Sequence, residues 1–211
     1  MQANPFATRF FQPGALEYEY FGRTNSRELI ERFWKLQNGK GSILGPHGSG
    51  KSTLIATLMR EIESLKPTVP IHHVRFSSGT ASFSALEKSR RHWKTDSVAI
   101  LDGYEQLSWL SKVLVRMTAA KRSIRLLITT HKPVQGFETL WTTFVDEDSS
   151  RWVIRELLQK NNKAPIAPSL LESPEWHASR AQHGQNLRES LFDMYDWWHK
   201  NHSNRTETTS Q

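Results

Sequence analysis

Apolar positions along this chain fall into short continuous runs and longer helical stripes, and the two alternate. Leu29, Ile30, Phe33 and Leu36 recur at helical spacing behind Asn25-Ser26-Arg27-Glu28, a run that reads as a capping box with Asn25 as cap. Gly39 and Gly41 are expected to close that helix. Ser42-Ile43-Leu44 is a short apolar run of strand type. Leu54, Leu58, Ile62 and Leu65 share the next helical stripe, which Pro67 stops. Ile71 to Phe76 alternates loosely as a second strand, and a polar stretch from Ser77 to Ser84 leads into a helix. Val98-Ala99-Ile100-Leu101 is apolar on both faces, as a central parallel strand is. Leu107, Leu110, Leu114 and Met117 predict the helix after it. Ile124 to Thr129 and Leu140 to Val145 predict two more strands, with a helix over Trp152 to Leu158.

Strand and helix alternate throughout this stretch. That pattern predicts an α/β fold, a three-layer α/β/α sandwich around a mostly parallel sheet of five strands. Residues 1–24, with Pro5, Pro13, Gly14 and Gly22, read as an irregular lead-in. Residues 25–163 form the expected core. A linker over Ala164 to Pro174 precedes a last amphipathic helix carrying Leu187, Leu191, Met194, Tyr195 and Trp198 on one side, so that 164–200 make a short helical lid. The polar segment 201–211 is expected to be disordered.

Composition narrows the function classes. The 211 residues suit one α/β domain, and a chain of this size buries roughly 70% of its unfolded surface. With no cysteine, disulfides and thiolate metal sites are excluded. The first residues lack the basic and apolar regions of a signal peptide. No run approaches the ~20 apolar residues of a membrane span, so a cytoplasmic protein without membrane contact is expected. The net charge of +7 favours polyanions, which keeps nucleic acid among the possible partners. Its basic clusters are short: Arg90-Arg91-His92-Trp93-Lys94 and Lys121-Arg122.

The chemistry is concentrated at Gly45-Pro46-His47-Gly48-Ser49-Gly50-Lys51-Ser52-Thr53. It matches G-x-x-x-x-G-K-[ST] in full, between an apolar run and a helix. Glycines let backbone N–H groups wrap a phosphate, and the helix N-terminus adds partial positive charge. Lys51 then serves the β- and γ-phosphates, and the Ser52 hydroxyl serves Mg²⁺. Asp102 ends the central apolar strand, at the edge where ligands of parallel sheets bind. This loop and strand resemble the Walker A and Walker B elements of P-loop NTPases, specifically the group that uses a catalytic glutamate.

The resemblance is closest to a small AAA+-type ATPase. In that group the glutamate directly follows the Walker B aspartate. Here Gly103 stands there, and Glu105 is the nearest acid, either a catalytic group or a helix-start acid. Thr130, in Ile128-Thr129-Thr130-His131, resembles the sensor 1 position, while His131 resembles the switch histidine of ABC ATPases. No L-S-G-G-Q helix precedes the Walker B strand, which argues against that second family. Gly184-Gln185-Asn186-Leu187-Arg188-Glu189 resembles the G-N-x-R-E run of sensor 2, with one extra residue, and implies that Arg188 contacts the γ-phosphate. Arg116, Arg122 and Arg125 lie where an arginine finger would, and nothing chooses among them.

The resemblance implies a Mg²⁺-dependent ATPase that couples ATP to a protein partner or to copies of itself. A nucleotide-gated switch with little turnover, on nucleic acid or in a complex, is the alternative. A small-molecule kinase is less favoured, because residues 133–148 hold no arginine to cover the phosphates.

Overall fold

The computed structural model describes residues 4–76 and 81–202. Along the chain come α1 (Thr8–Phe11), α2 (Ser26–Lys35), β1 (Lys40–Leu44), α3 (Lys51–Leu65), β2 (Ile71–Arg75) and α4 (Ala81–Arg90). Next are β3 (Val98–Asp102), a 3-10 turn (Tyr104–Gln106), α5 (Trp109–Lys121), β4 (Arg125–Thr130) and β5 (Glu138–Thr142). The chain ends in α6 (Glu147–Lys160), a second 3-10 turn (Ala164–Ile166), α7 (Ala167–Leu171), α8 (Pro174–His183) and α9 (Leu187–His202). The five strands pair in the order β2-β3-β4-β1-β5, all parallel, and helices lie on both sides, as the alternation predicted. Among the described residues, no helix is long and apolar enough to cross a membrane. Most of the tail expected to be disordered lies outside the described residues, although Asn201 and His202 still belong to α9.

The chain divides into two compact units. The sheet unit comprises Tyr20–Gly45 and Lys51–Thr143. Asn25 caps α2 as read from sequence: its side chain accepts the Glu28 N–H at 2.9 Å and donates to the Glu28 carboxylate at 2.9 Å. Gly41, expected at the end of that helix, is a residue of β1 lying beneath Phe33 and Leu140. Leu54, Ile55, Leu58 and Ile62 bury one side of α3, each contributing about 1.5–3 kcal/mol on leaving water. Alternate residues of β2, β3 and β4 (Val74, Ala99, Leu101, Leu126 and Ile128) meet Leu86, Trp93, Val115 and Ala119 in a common core.

α5 forms where the spacing predicted a helix, with its stripe reversed. Ser111, Val115 and Ala119 are its buried residues, whereas Leu110 and Met117 are more than 60% exposed. Small side chains let this helix sit close over the core, so the larger apolar residues are turned outward.

Among the described residues, the helical unit holds 4–19, Pro46–Gly50 and 144–202. Phe6 and Leu16, within the supposed lead-in, are buried with Val145, Ile154, Leu157, Trp176, Leu191, Met194 and Trp198. The stripe read from α9 is therefore its core face. The expected linker is mostly helical, with Ala167, Leu170 and Leu171 buried. Pro168 and Pro174 stand in the first turns of α7 and α8, where a missing N–H is no loss. α6 starts earlier than its apolar stripe indicated, because Asp146 and Ser149 close a capping box ahead of it.

Candidate functional site

In the sheet unit, β1 delivers Gly45 and α3 begins at Lys51. Leu44 and Thr130 are register partners, and the Gly45 N–H donates to the Thr130 carbonyl at 3.2 Å. The residue after Thr130 is thereby brought against Gly45. Lys51 Nζ donates to the Gly45 carbonyl at 2.6 Å, and His131 Nδ1 donates to the same oxygen at 2.8 Å. The two nitrogens stand 3.4 Å apart. On the other side of the ring, His131 Nε2 lies 2.9 Å from Glu105 Oε1, with each side chain about one-quarter exposed. Glu105 Oε2 is buried and receives no hydrogen bond. Lys51 and His131 thus share the Gly45 carbonyl, and the far side of the same imidazole lies against the Glu105 carboxylate.

Asp102 closes β3 and is 5% exposed. Its Oδ1 accepts the Thr129 hydroxyl at 2.7 Å, and Thr129 Oγ1 accepts the Gly103 N–H at 2.7 Å. Its Oδ2 accepts Arg75 Nε at 3.0 Å, and Arg75 is the register partner of Asp102 on β2. The threonine on Asp102 is therefore Thr129, while the Thr130 hydroxyl is turned to the Lys132 carbonyl at 3.1 Å. Neither Thr129 nor Arg75 stood out in the sequence. The period-2 alternation of β4 separates the two threonines, but it names no partner without the strand order.

Position 103 explains why no acid directly follows Asp102. Gly103 has φ +89°, and a Cβ there would come within 2.9 Å of the Phe76 carbonyl oxygen. A glutamate there would be strained on both counts. The chain instead enters the 3-10 turn, and Glu105 is its acid. Lys112 Nζ lies 3.5 Å from the Glu105 carbonyl oxygen, tying the turn to α5.

In the helical unit, Pro46 and His47 are exposed while Ser49 is buried, its hydroxyl donating to the Pro46 carbonyl at 2.9 Å. Gly48 has φ +68°. A Cβ on it would collide with Asn186 Oδ1 and stand 3.2 Å from the Arg188 nitrogen. The start of α9 therefore lies directly on the loop. Asn186 Oδ1 is buried without a hydrogen bond. The Arg188 side chain is exposed. Gln185 fixes this turn by exchanging hydrogen bonds with the Val145 backbone at 2.7 and 2.8 Å.

The donor set suits Mg²⁺. Ser52 and Asp102 offer hard oxygens, the class this ion takes. A carboxylate has about four acceptor directions, so the Asp102 bonds to Thr129 and Arg75 leave room for metal-bound water. Among the described residues, no group of three or more His, Asp or Glu side chains is placed to hold a metal by itself. The three candidate arginine fingers all have structural bonds: Arg116 to Tyr104 Oη and the Gln135 carbonyl, Arg122 to the Trp93 carbonyl, Arg125 to the Phe33 and Leu36 carbonyls. The first basic cluster is likewise partly engaged, since Arg90 pairs with Glu87 at 2.9 Å.

No family model and no curated protein matches the sequence. Solved structures do match in fold. DnaA from Aquifex aeolicus bound to AMPPCP superposes with TM-score 0.57 at 15% identity, over 94% of this chain and 67% of that one. NtrX from Brucella abortus in complex with ATP gives TM-score 0.53 at 15% identity, over 87% and 54%. A DNA replication initiation factor gives 0.52 at 14%, over 80% and 57%. The chain spans little more than half the length of the last two. Its parallel sheet, its glycine loop between β1 and α3, and these likenesses agree on one architecture: the chain has the α/β fold of a P-loop NTPase.

Proposed function

We propose that the chain binds ATP with Mg²⁺ at the loop Gly45 to Thr53 and hydrolyses it, with Glu105 as the catalytic base. The observation that carries this reading is that Lys51 and His131 share the Gly45 carbonyl while His131 Nε2 lies 2.9 Å from Glu105 Oε1. It supports an acid acting near the loop lysine, displaced from its usual position.

In this reading the glycine loop wraps the β-phosphate with its N–H groups. Lys51 exchanges the Gly45 carbonyl for phosphate oxygens. Ser52 and Asp102 hold Mg²⁺, which when bound neutralises the developing phosphate charge. Thr129 fixes the Asp102 carboxylate. Glu105 Oε2, buried and without a donor, orients the attacking water and takes its proton. Arg188 reaches the phosphates from the turn that covers Gly48.

The His131 contact with Glu105 favours slow basal turnover, because the base is held until the imidazole moves. That supports a partner-controlled ATPase, and keeps the switch with little turnover as second reading. The replication initiation factor among the fold relatives and the net charge of +7 make DNA the first macromolecule to test.

Lys51→Ala is expected to abolish binding of a fluorescent ATP analogue with the circular dichroism spectrum unchanged. Unaltered affinity would sink the reading. Glu105→Gln is expected to keep binding and lose turnover, measured with and without DNA. Full turnover in that variant would return Glu105 to a helix-start role.

A further inference from the structure

We infer that Arg75 is a resident cation on Asp102 that competes with Mg²⁺ and so sets how strongly nucleotide binding depends on the metal. The inference rests on the ATP–Mg²⁺ reading of the loop. Arg75 is the last residue of β2, which is the edge strand of the sheet. Strand register sets it beside Asp102, and its Nε donates to Oδ2 at 3.0 Å. The two groups differ sharply in exposure: the Asp102 side chain is 6% exposed and that of Arg75 is 48%.

That asymmetry decides which partner moves. The carboxylate is fixed from the other side by Thr129, whose hydroxyl occupies Oδ1. The guanidinium has solvent to withdraw into. An arginine stays charged at any working pH, so it neutralises Asp102 permanently rather than conditionally. The carboxylate that Mg²⁺ addresses is therefore already compensated by one positive charge. A divalent ion arriving there meets a weaker field and a like charge, and must displace the guanidinium or share the oxygen with it. His73, two residues before Arg75 on β2 and near enough to feel the Asp102 charge, is held below its ordinary value first by burial, so it adds no lasting charge. Arg75 thus raises the Mg²⁺ concentration this site needs above that of a loop and carboxylate alone.

The test titrates Mg²⁺ into the full chain with a fluorescent ATP analogue, and compares wild type with Arg75→Met and Arg75→Lys. Methionine keeps the aliphatic bulk and removes the charge; lysine keeps the charge. The Mg²⁺ concentration for half-maximal binding is expected to fall about two- to fivefold in Arg75→Met, the range a half-exposed ion pair supports. Arg75→Lys is expected to stay near wild type. Equal Mg²⁺ midpoints in wild type and Arg75→Met would overturn the inference, and so would equal loss of affinity with and without Mg²⁺, which would make Arg75 a phosphate ligand. If wild type binds the analogue no better than Lys51→Ala, the nucleotide reading itself fails and this inference with it.

Discussion

Gly48→Ala isolates the contact between the phosphate-binding loop and the start of α9. Two separable penalties follow from the structure. The first is local, because φ is +68° and an alanine in the left-handed region is less stable by about 1–2 kcal/mol. The second is steric. The new methyl collides with Asn186 Oδ1 and stands 3.2 Å from the Arg188 nitrogen. The asparagine side chain can rotate away, whereas the backbone nitrogen yields only if the first turn of α9 shifts. Displacing a packed side chain costs about 1–3 kcal/mol, by analogy with overpacked cores.

Asn186→Ala provides the control. Its Oδ1 is buried and unbonded, so truncation removes an orphaned acceptor and is expected to be nearly neutral. In a double-mutant cycle read by urea unfolding, Gly48→Ala in wild type should lose about 2–5 kcal/mol, the sum of the two penalties. In the Asn186→Ala background the loss should be smaller, since the Asn186 collision is gone and only the backbone share of about 1–2 kcal/mol and the close approach of the Arg188 nitrogen remain. The coupling must be positive and of the size of the Asn186 collision. Equal losses in both backgrounds would refute the contact, and no loss at all would refute the left-handed conformation as well.

Three further outcomes are expected. Thr129→Val keeps the shape but deprives Asp102 of a donor and the Gly103 N–H of its acceptor; urea unfolding should show a loss of about 2–4 kcal/mol, and a loss below ~0.5 kcal/mol would contradict the bonding described. His72 is held below its ordinary value of 6.5, first by burial and then by the charges of Lys94 and His92, and its Nε2 accepts the Lys94 N–H at 3.1 Å. The folded chain thus takes up this proton less readily than the unfolded chain. The His72 contribution is complete above 6.5 and is lost as pH falls below it. Tm should drop less in His72→Gln than in wild type between about pH 7.5 and about pH 5.5, and parallel slopes would dismiss the effect. Arg188→Ala should narrow the difference between ATP and ADP affinity by calorimetry; an unchanged ratio would remove Arg188 from the phosphates.

Much of the fold was legible because its determinants are local. The α2 cap joins Asn25 and Glu28, three residues apart, and the glycine loop is one continuous run between a strand and a helix. Where local rules misled, a neighbour distant in sequence had intervened. Pro168 and Pro174 looked like breaks and instead open helices whose apolar residues are buried. The largest apolar residues of α5 marked the helix but not its inner face, since the core there admits only Ser111, Val115 and Ala119.

The sequence by itself determined that a glycine-rich loop lies between β1 and α3, and that an acidic residue ends the buried strand β3. Backbone turns and strand hydrophobicity are set by adjacent residues. Tertiary structure alone decided what surrounds those groups. Strand order and register put Arg75 and Thr129 on Asp102, and strand pairing set His131 on Gly45 and Glu105. The Phe76 carbonyl, together with a positive φ, made position 103 a glycine and moved the acid to Glu105. Each of these contacts joins residues far apart in the chain, and their distance depends on which strands pair, a property that no local window of sequence carries.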